Sequence, residues 1–302
     1  MRPFAVAGIQ MEVHPNLGGL EAFEGKLDHL MANFPWVQMV LLSELSLRGQ
    51  TVASAEPLPG PTEGELCRMA KKHGIWLVPG SLYERDGERI YNTTPVIDPD
   101  GSVVGRHRKL FPFEPYETGV TPGTEPLVFE VPSVGRFGVS ICYDMWFPET
   151  SRWLVALGAE VIVRPALTDT IDREIELAMV RATAAQNQCY VLDVNGLAEG
   201  GIGRSIFVGP AGDVLHQAGT HSEEIPLEID LDRVTRSREV GLRGLGQPLK
   251  SFRDRTFDFP HYQPGYRSGT LDALGSLRKP ARGSRAGLDA PAGNDPDGAD
   301  GR

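Results

Sequence analysis

Three side chains of this 302-residue chain can together do chemistry that none can do alone: the carboxylate of Glu44, the amine of Lys109 and the thiol of Cys142. A free thiol titrates near 8.5, so it is a weak nucleophile at neutral pH until a base or a cation stands beside it. Cys142 closes the stretch Gly138-Val139-Ser140-Ile141-Cys142-Tyr143-Asp144. The β-branched run before it predicts a buried strand, and Pro148-Glu149-Thr150 predicts a helix start after it. That puts the thiol at the carboxyl end of a strand, where open α/β sheets carry their chemistry. Glu44 follows a second apolar run, Val37 to Leu42. A carboxylate there is costly to bury unless it is hydrogen-bonded or protonated. Lys109 closes the basic cluster Arg106-His107-Arg108-Lys109 and enters an aromatic, proline-rich loop. Each has an ordinary reading alone: a core cysteine, a solvated strand end, a basic face.

The elements that must position these residues alternate along the chain. Phe4–Met11, Val37–Leu42, Ile75–Leu82, Val161–Val163 and Tyr190–Asn195 read as strands. Leu20–Asn33, Gly64–His73, Glu149–Leu157 and Ile171–Gln188 read as helices from their apolar spacing, with Gly74 as a stop signal. Two hairpins turn at Asp98-Pro99-Asp100-Gly101 and Pro210-Ala211-Gly212-Asp213. Strand–helix alternation plus hairpins predicts an α/β sandwich.

The order Glu44, Lys109, Cys142 resembles the nitrilase, or carbon–nitrogen hydrolase, superfamily, and the resemblance spans about Phe4 to Arg255. Its specific parts are the glutamate of LLSEL, the lysine of HRKLFPF and the cysteine of VSICYDMWFPE. Gln10, Pro122-Gly123, Asn195 and Gly203-Arg204-Ser205 support it more weakly. A second family glutamate follows the lysine; Glu114 and Glu117 both qualify, and Glu117 is favoured because it leads into Thr118-Gly119-Val120-Thr121-Pro122-Gly123. Gln186 stands where members commonly carry glutamate, and Tyr143-Asp144 follows the cysteine where true nitrilases carry Trp-Glu, which points to the amidase branches. The resemblance implies a four-layer α-β-β-α sandwich, paired into a homodimer or higher homo-oligomer.

In such a site Glu44 takes the thiol proton, Cys142 attacks the amide carbon, and Lys109 with the Tyr143 N–H holds the oxyanion. Glu117 positions the set, and no metal or organic cofactor is required. Trp146 and Phe113, with Phe111, Tyr116 and Phe147, supply an apolar wall. Arg164 and Thr168, read as a loop after the Val161–Val163 strand, are expected to meet a polar or acidic group of the substrate; a surface salt bridge is the other reading of Arg164. The expected activity is hydrolysis of a small carboxamide to acid and ammonia through a thioester. The alternatives are a nitrilase or N-carbamoyl hydrolase with the same triad and, from another class, a non-catalytic binding module. Simple aliphatic amides, ω-amides and N-carbamoyl compounds are not separated at this level.

A net charge of −10 disfavours nucleic acid or an anionic membrane as partner. Three cysteines without metal spacing, scattered histidines without an HxxxH pair, and a start lacking a long apolar stretch predict a cytoplasmic protein without a metal. The chain is read as one hydrolase domain over residues 1–275 and a disordered tail over 276–302, where bulky apolar residues are nearly absent. Deleting residues from Ser276 onward is expected to leave stability within about 0.5 kcal/mol, measured by thermal melting. A large fall in melting temperature would contradict that expectation.

Overall fold

The computed structural model describes residues 1–13, 18–114, 116–255 and 258–277. The expected tail therefore lies outside the described residues except for Ser276 and Leu277. The chain forms two compact units, Met1–Pro112 with Gly119–Thr256, and Phe113–Thr118 with Phe257–Arg302. The described part of the smaller unit carries a 3-10 turn at Pro260–Tyr262 and a helical turn at Gly269–Asp272.

The larger unit is built on two sheets. In the first, the strand order is Glu223–Asp230, Pro3–Gln10, Met39–Leu42, Trp76–Val78, Arg89–Ile97 and Leu82–Asp86, and Val103–Arg108 also pairs with Arg89–Ile97. In the second the order is Val214–Gln217, Ile206–Val208, Tyr190–Asn195, Val161–Ala166, Gly135–Val139 and Leu127–Val131. Side chains alternate across a strand, so each sheet has two apolar faces to bury. One face of each meets the other sheet: Phe4, Val6, Met39 and Leu41 pack with Phe137, Val139, Val163 and Leu192. The outer face of the first sheet, with Ile9, Val40 and Leu77, packs on Phe23, Leu27, Leu66 and Met69 of the helices Gly19–Asn33 and Pro61–His73. The outer face of the second, with Ile162, Val191 and Val208, packs on Leu154, Leu177, Val180 and Ala184 of the helices Pro148–Ala156 and Asp172–Asn187. The result is the expected α-β-β-α sandwich.

Three differences from the sequence reading bear on the site. The single strand expected over Ile75–Leu82 is two, Trp76–Val78 and Leu82–Asp86, because Pro79-Gly80-Ser81 breaks it. Gly80 has φ +75°, and a Cβ there would overlap the Ser43 carbonyl oxygen, so only glycine fits so close beneath Glu44. The strand expected to end at Val163 runs on to Ala166. The strand Glu223–Asp230, which pairs antiparallel with the first strand along its length, carries four acidic residues and a proline, a pattern that does not predict a strand. Among the described residues no helix is long and apolar enough to cross a membrane.

Candidate active site

The strand Gly135–Val139 aims Cys142. Its parallel pairing with Val161–Ala166 continues past its end, where Ser140 N–H donates to Val163 O at 3.1 Å. The chain then turns sharply: Cys142 has φ +43° and begins the 3-10 turn Cys142–Trp146. A left-handed conformation is uncommon for a residue with a side chain and persists only when its surroundings over-determine it. Asp144 does part of that. Its carboxylate accepts from Ile141 N–H at 3.0 Å and from Phe111 N–H at 2.8 Å, and lies 3.2 Å from His107 Nε2. Asp144 thus ties the cysteine turn to the segment carrying Lys109. Cys142 is buried, 8% exposed as a residue. Burial pushes it above its ordinary range, the Glu44 charge pushes the same way, and Lys109 opposes them. The resting sulfur therefore carries its proton and needs a base to lose it.

Glu44 and Lys109 are both buried and paired. Lys109 Nζ donates to Glu44 Oε1 at 2.9 Å, and Asn92 Nδ2 donates to the same oxygen at 2.8 Å. Two donors on one carboxylate oxygen offset the cost of burying it. Neighbouring backbone sets the geometry: Lys109 N–H donates to Asn92 O at 2.8 Å, and Glu44 N–H donates to Ala166 O at 3.2 Å. Leu45, at φ +52°, donates its N–H to Ser81 Oγ at 3.2 Å, so the chain turns away at once after Glu44. Sequence reasoning does not single out Asn92; it sits mid-strand in Arg89–Ile97, fully buried beside the equally buried Thr93 and Thr94.

Arg164 requires a correction. It is neither in a loop nor at the surface. It lies within Val161–Ala166 with its guanidinium fully buried. Nε and Nη2 donate to Cys142 O at 3.1 and 2.8 Å, Nη2 also donates to Glu176 Oε1 at 2.8 Å, and Nη1 pairs with Asp193 Oδ2. The reason is register: Arg164 and Asp193 are direct partners across parallel strands. Arg173 completes the set, donating to Glu176 Oε2 at 3.0 Å and pairing with Asp193 Oδ1. Two positive and two negative charges are thus buried together. Trp146 lies at this cluster too, its indole N–H 3.3 Å from Glu176 Oε1.

The cluster makes a pH prediction. Burial opposes ionisation of Glu176, but Arg164 and Arg173 outweigh it and hold the carboxyl at about 2 against an ordinary 4.5. A depressed folded value contributes stability that is present above pH 4.5 and lost as pH falls through about 2. Urea unfolding at several pH values should show wild type losing stability across that window, with a shallower slope in Glu176→Gln. An unchanged slope would detach Glu176 from acid stability.

Thr168 stands beside the thiol, its Oγ1 3.9 Å from Cys142 Sγ. Asn195 holds the Thr168 backbone from both sides, accepting from its N–H at 2.9 Å and donating to its carbonyl at 2.9 Å. Tyr143 follows the cysteine and packs edge-on against Phe147, which stacks on Phe111 at 3.6 Å between centroids. Gln10 is a brace, accepting from Ser205 N–H at 2.9 Å and donating to His221 O at 2.6 Å. Glu117 and Phe113 belong to the smaller unit, where Glu117 Oε2 accepts from Phe113 N–H at 2.6 Å and Phe113 stacks on Tyr116. The place of Glu117, and of Glu114, in a catalytic set rests on the sequence. Among the described residues no group of three His, Cys, Asp or Glu side chains could hold a metal ion.

The family model for carbon–nitrogen hydrolases matches residues 26–239, and the chain belongs to that family. Among curated relatives, omega-amidase NIT2 of Xenopus tropicalis is 32% identical over 200 residues, covering 61% of this chain and 72% of the relative. Human omega-amidase NIT2 is 30% identical over 200 residues with the same coverage, 61% and 72%. Among solved structures, Saccharomyces cerevisiae Nit3, a member of branch 10 of the nitrilase superfamily, superposes with a TM-score of 0.73 at 27% identity, covering 79% of this chain and 94% of that one. An amidase from Nesterenkonia sp. shares the fold with a TM-score of 0.68 at 22% identity, covering 77% of this chain and 92% of that one.

Proposed function

We propose that this protein is a cysteine-dependent amidase that converts a small aliphatic carboxamide to its acid and ammonia. One observation carries the reading: the buried ion pair of Lys109 and Glu44 at 2.9 Å, with both charges acting on the Cys142 thiol. A base, a cation and a thiol in one buried site are what acyl transfer from an amide needs. As Cys142 sulfur bonds to the amide carbon, Glu44 takes the thiol proton and the carbonyl oxygen becomes an oxyanion. Lys109 Nζ and Tyr143 N–H stabilise that charge. Glu44 returns the proton to nitrogen, the C–N bond breaks, and ammonia leaves. Water, activated by Glu44, attacks the thioester carbon, so the C–S bond breaks, the acid departs and the thiol regains its proton. Tyr143, Trp146 and Thr168 line the substrate.

The omega-amidase relatives favour a second reading, an ω-amide whose far end carries a carboxylate. Such a substrate needs a cation for that carboxylate, and Arg164, the residue the sequence offered, is turned beneath Cys142 and paired with Asp193 and Glu176. Ammonia release tests both readings, using simple aliphatic amides, carboxylated ω-amides, nitriles and N-carbamoyl compounds at equal concentration. Highest kcat/KM on a neutral amide supports the proposal, and preference for a carboxylated ω-amide replaces it with the second reading. Release from nitriles or ureido compounds alone reassigns the triad, and release from none leaves a binding module. Assembly as a homodimer or higher homo-oligomer is part of the proposal and is read by sedimentation.

A further inference from the structure

The search for a site beyond the triad leads beneath it, to the cluster Arg164, Arg173, Glu176 and Asp193. We propose that Arg164 is a positioning residue for the oxyanion site: by gripping the Cys142 carbonyl oxygen it orients the Cys142–Tyr143 peptide so that the Tyr143 N–H faces the developing oxyanion. The inference rests on the reading of Cys142 as nucleophile and deepens it.

The argument starts from the peptide unit. Cys142 C=O and Tyr143 N–H belong to one planar group, and in a trans peptide they point in opposite directions. Fixing the oxygen therefore fixes the N–H. Arg164 fixes it with two donors, Nε at 3.1 Å and Nη2 at 2.8 Å, from a planar fork that cannot swivel independently at each bond. The guanidinium also draws electron density toward the carbonyl oxygen, which makes the attached N–H a stronger donor, as in any hydrogen-bond chain at low dielectric.

The rest of the cluster keeps the fork still. Asp193 takes Nη1, Glu176 takes Nη2, and Arg173 binds the remaining oxygens of both carboxylates while donating to Arg204 O at 2.8 Å. Four buried charges are a poor way to gain stability, because apolar residues of the same volume often do as well or better. They are a good way to hold one planar group in one orientation, since preorganised donors cost no reorganisation when charge develops. Trp146, on Glu176, links the same device to a residue proposed to line the substrate.

The test uses the charge-balanced double variant Arg164→Met with Glu176→Gln, which leaves Arg173 and Asp193 as a pair, and Arg164→Lys as the conservative variant. Arg164 and Glu176 pull the Cys142 thiol in opposite directions, so removing both should leave its alkylation by iodoacetamide within about threefold of wild type. Alkylation at a saturated carbon forms no oxyanion. Two readouts do need the oxyanion site: kcat on the best amide of the panel, and affinity for propanal. With propanal the sulfur adds to the carbonyl carbon and the proton passes to oxygen. In the double variant both should fall together by at least about tenfold, toward the hundredfold of losing a donor outright, with KM changed less than threefold. Arg164→Lys, keeping the charge and one donor, should recover part of each. Turnover and propanal affinity near wild type overturn the proposal. So does alkylation falling in parallel with them, or loss of the fold in both variants, since either assigns Arg164 to holding the structure. Weakened propanal binding in a protein whose wild type releases no ammonia keeps this inference and removes the proposed function instead.

Discussion

Cys142→Ala is expected to reduce amide turnover by on the order of 10⁴-fold or more with the fold intact, because nothing else in the set can form the thioester. Cys142→Ser should be nearly as inactive. The serine hydroxyl would meet the same burial and the same Glu44 charge that already hold the thiol in its protonated form, and it is the poorer nucleophile. The measurement is ammonia release with far-ultraviolet circular dichroism as the control for folding. Stoichiometric iodoacetamide followed by peptide mass spectrometry gives an independent reading of the same assignment. The label should fall on Cys142. Burial raises all three thiols, so the label is expected to follow the base and cation beside Cys142 rather than burial; Cys189 lies in the apolar core and Cys67 in the helix Pro61–His73. Equal labelling of all three with activity retained would remove Cys142 from the mechanism.

The second large effect separates Glu44 from Lys109. Glu44→Gln keeps an oxygen for the Lys109 and Asn92 donors, which meet on Oε1, and removes only the proton acceptor. Acylation should slow by about 10²–10⁴-fold. Lys109→Met keeps the aliphatic stem and removes the cation. If the cation acts on the oxyanion, kcat falls by about 10²–10³-fold while KM changes less, the pattern of an interaction made in the transition state. The ion pair couples the two residues, so the double variant should lose little beyond the worse single variant. Rapid-quench acylation and steady-state turnover check both. Near-wild-type kcat in either folded variant takes that residue out of the chemistry.

Much of this protein is legible along the chain, and the reason is locality. Glu44 and Cys142 each sit where an apolar run stops, so the pattern that buries a strand also marks the residue at its end, while Lys109 is marked by the basic cluster it closes. The helices Gly19–Asn33 and Asp172–Asn187 come within a residue or two of their expected bounds, because a spacing of three and four residues is a property of the segment itself. Pro79-Gly80 is itself a local turn signal that splits the expected strand, and the close approach of the distant Ser43 carbonyl is what requires glycine there.

The sequence by itself determined the alternating α/β class, which follows from local period, and its resemblance to carbon–nitrogen hydrolases marked Glu44, Lys109 and Cys142 as the proposed reacting groups. Only the tertiary structure decided what surrounds them. Asn92 reaches Glu44 across 48 positions, and Asp144 joins the cysteine turn to Phe111 across 33. Arg164 shows the difference most sharply. Along the chain it reads as a loop cation ready for a substrate; the parallel register sets it opposite Asp193, and the strand's extra turn of length buries it under Cys142. A buried charge takes the role its partners give it, and which partners those are is fixed by how distant strands and helices pack, which no local pattern encodes.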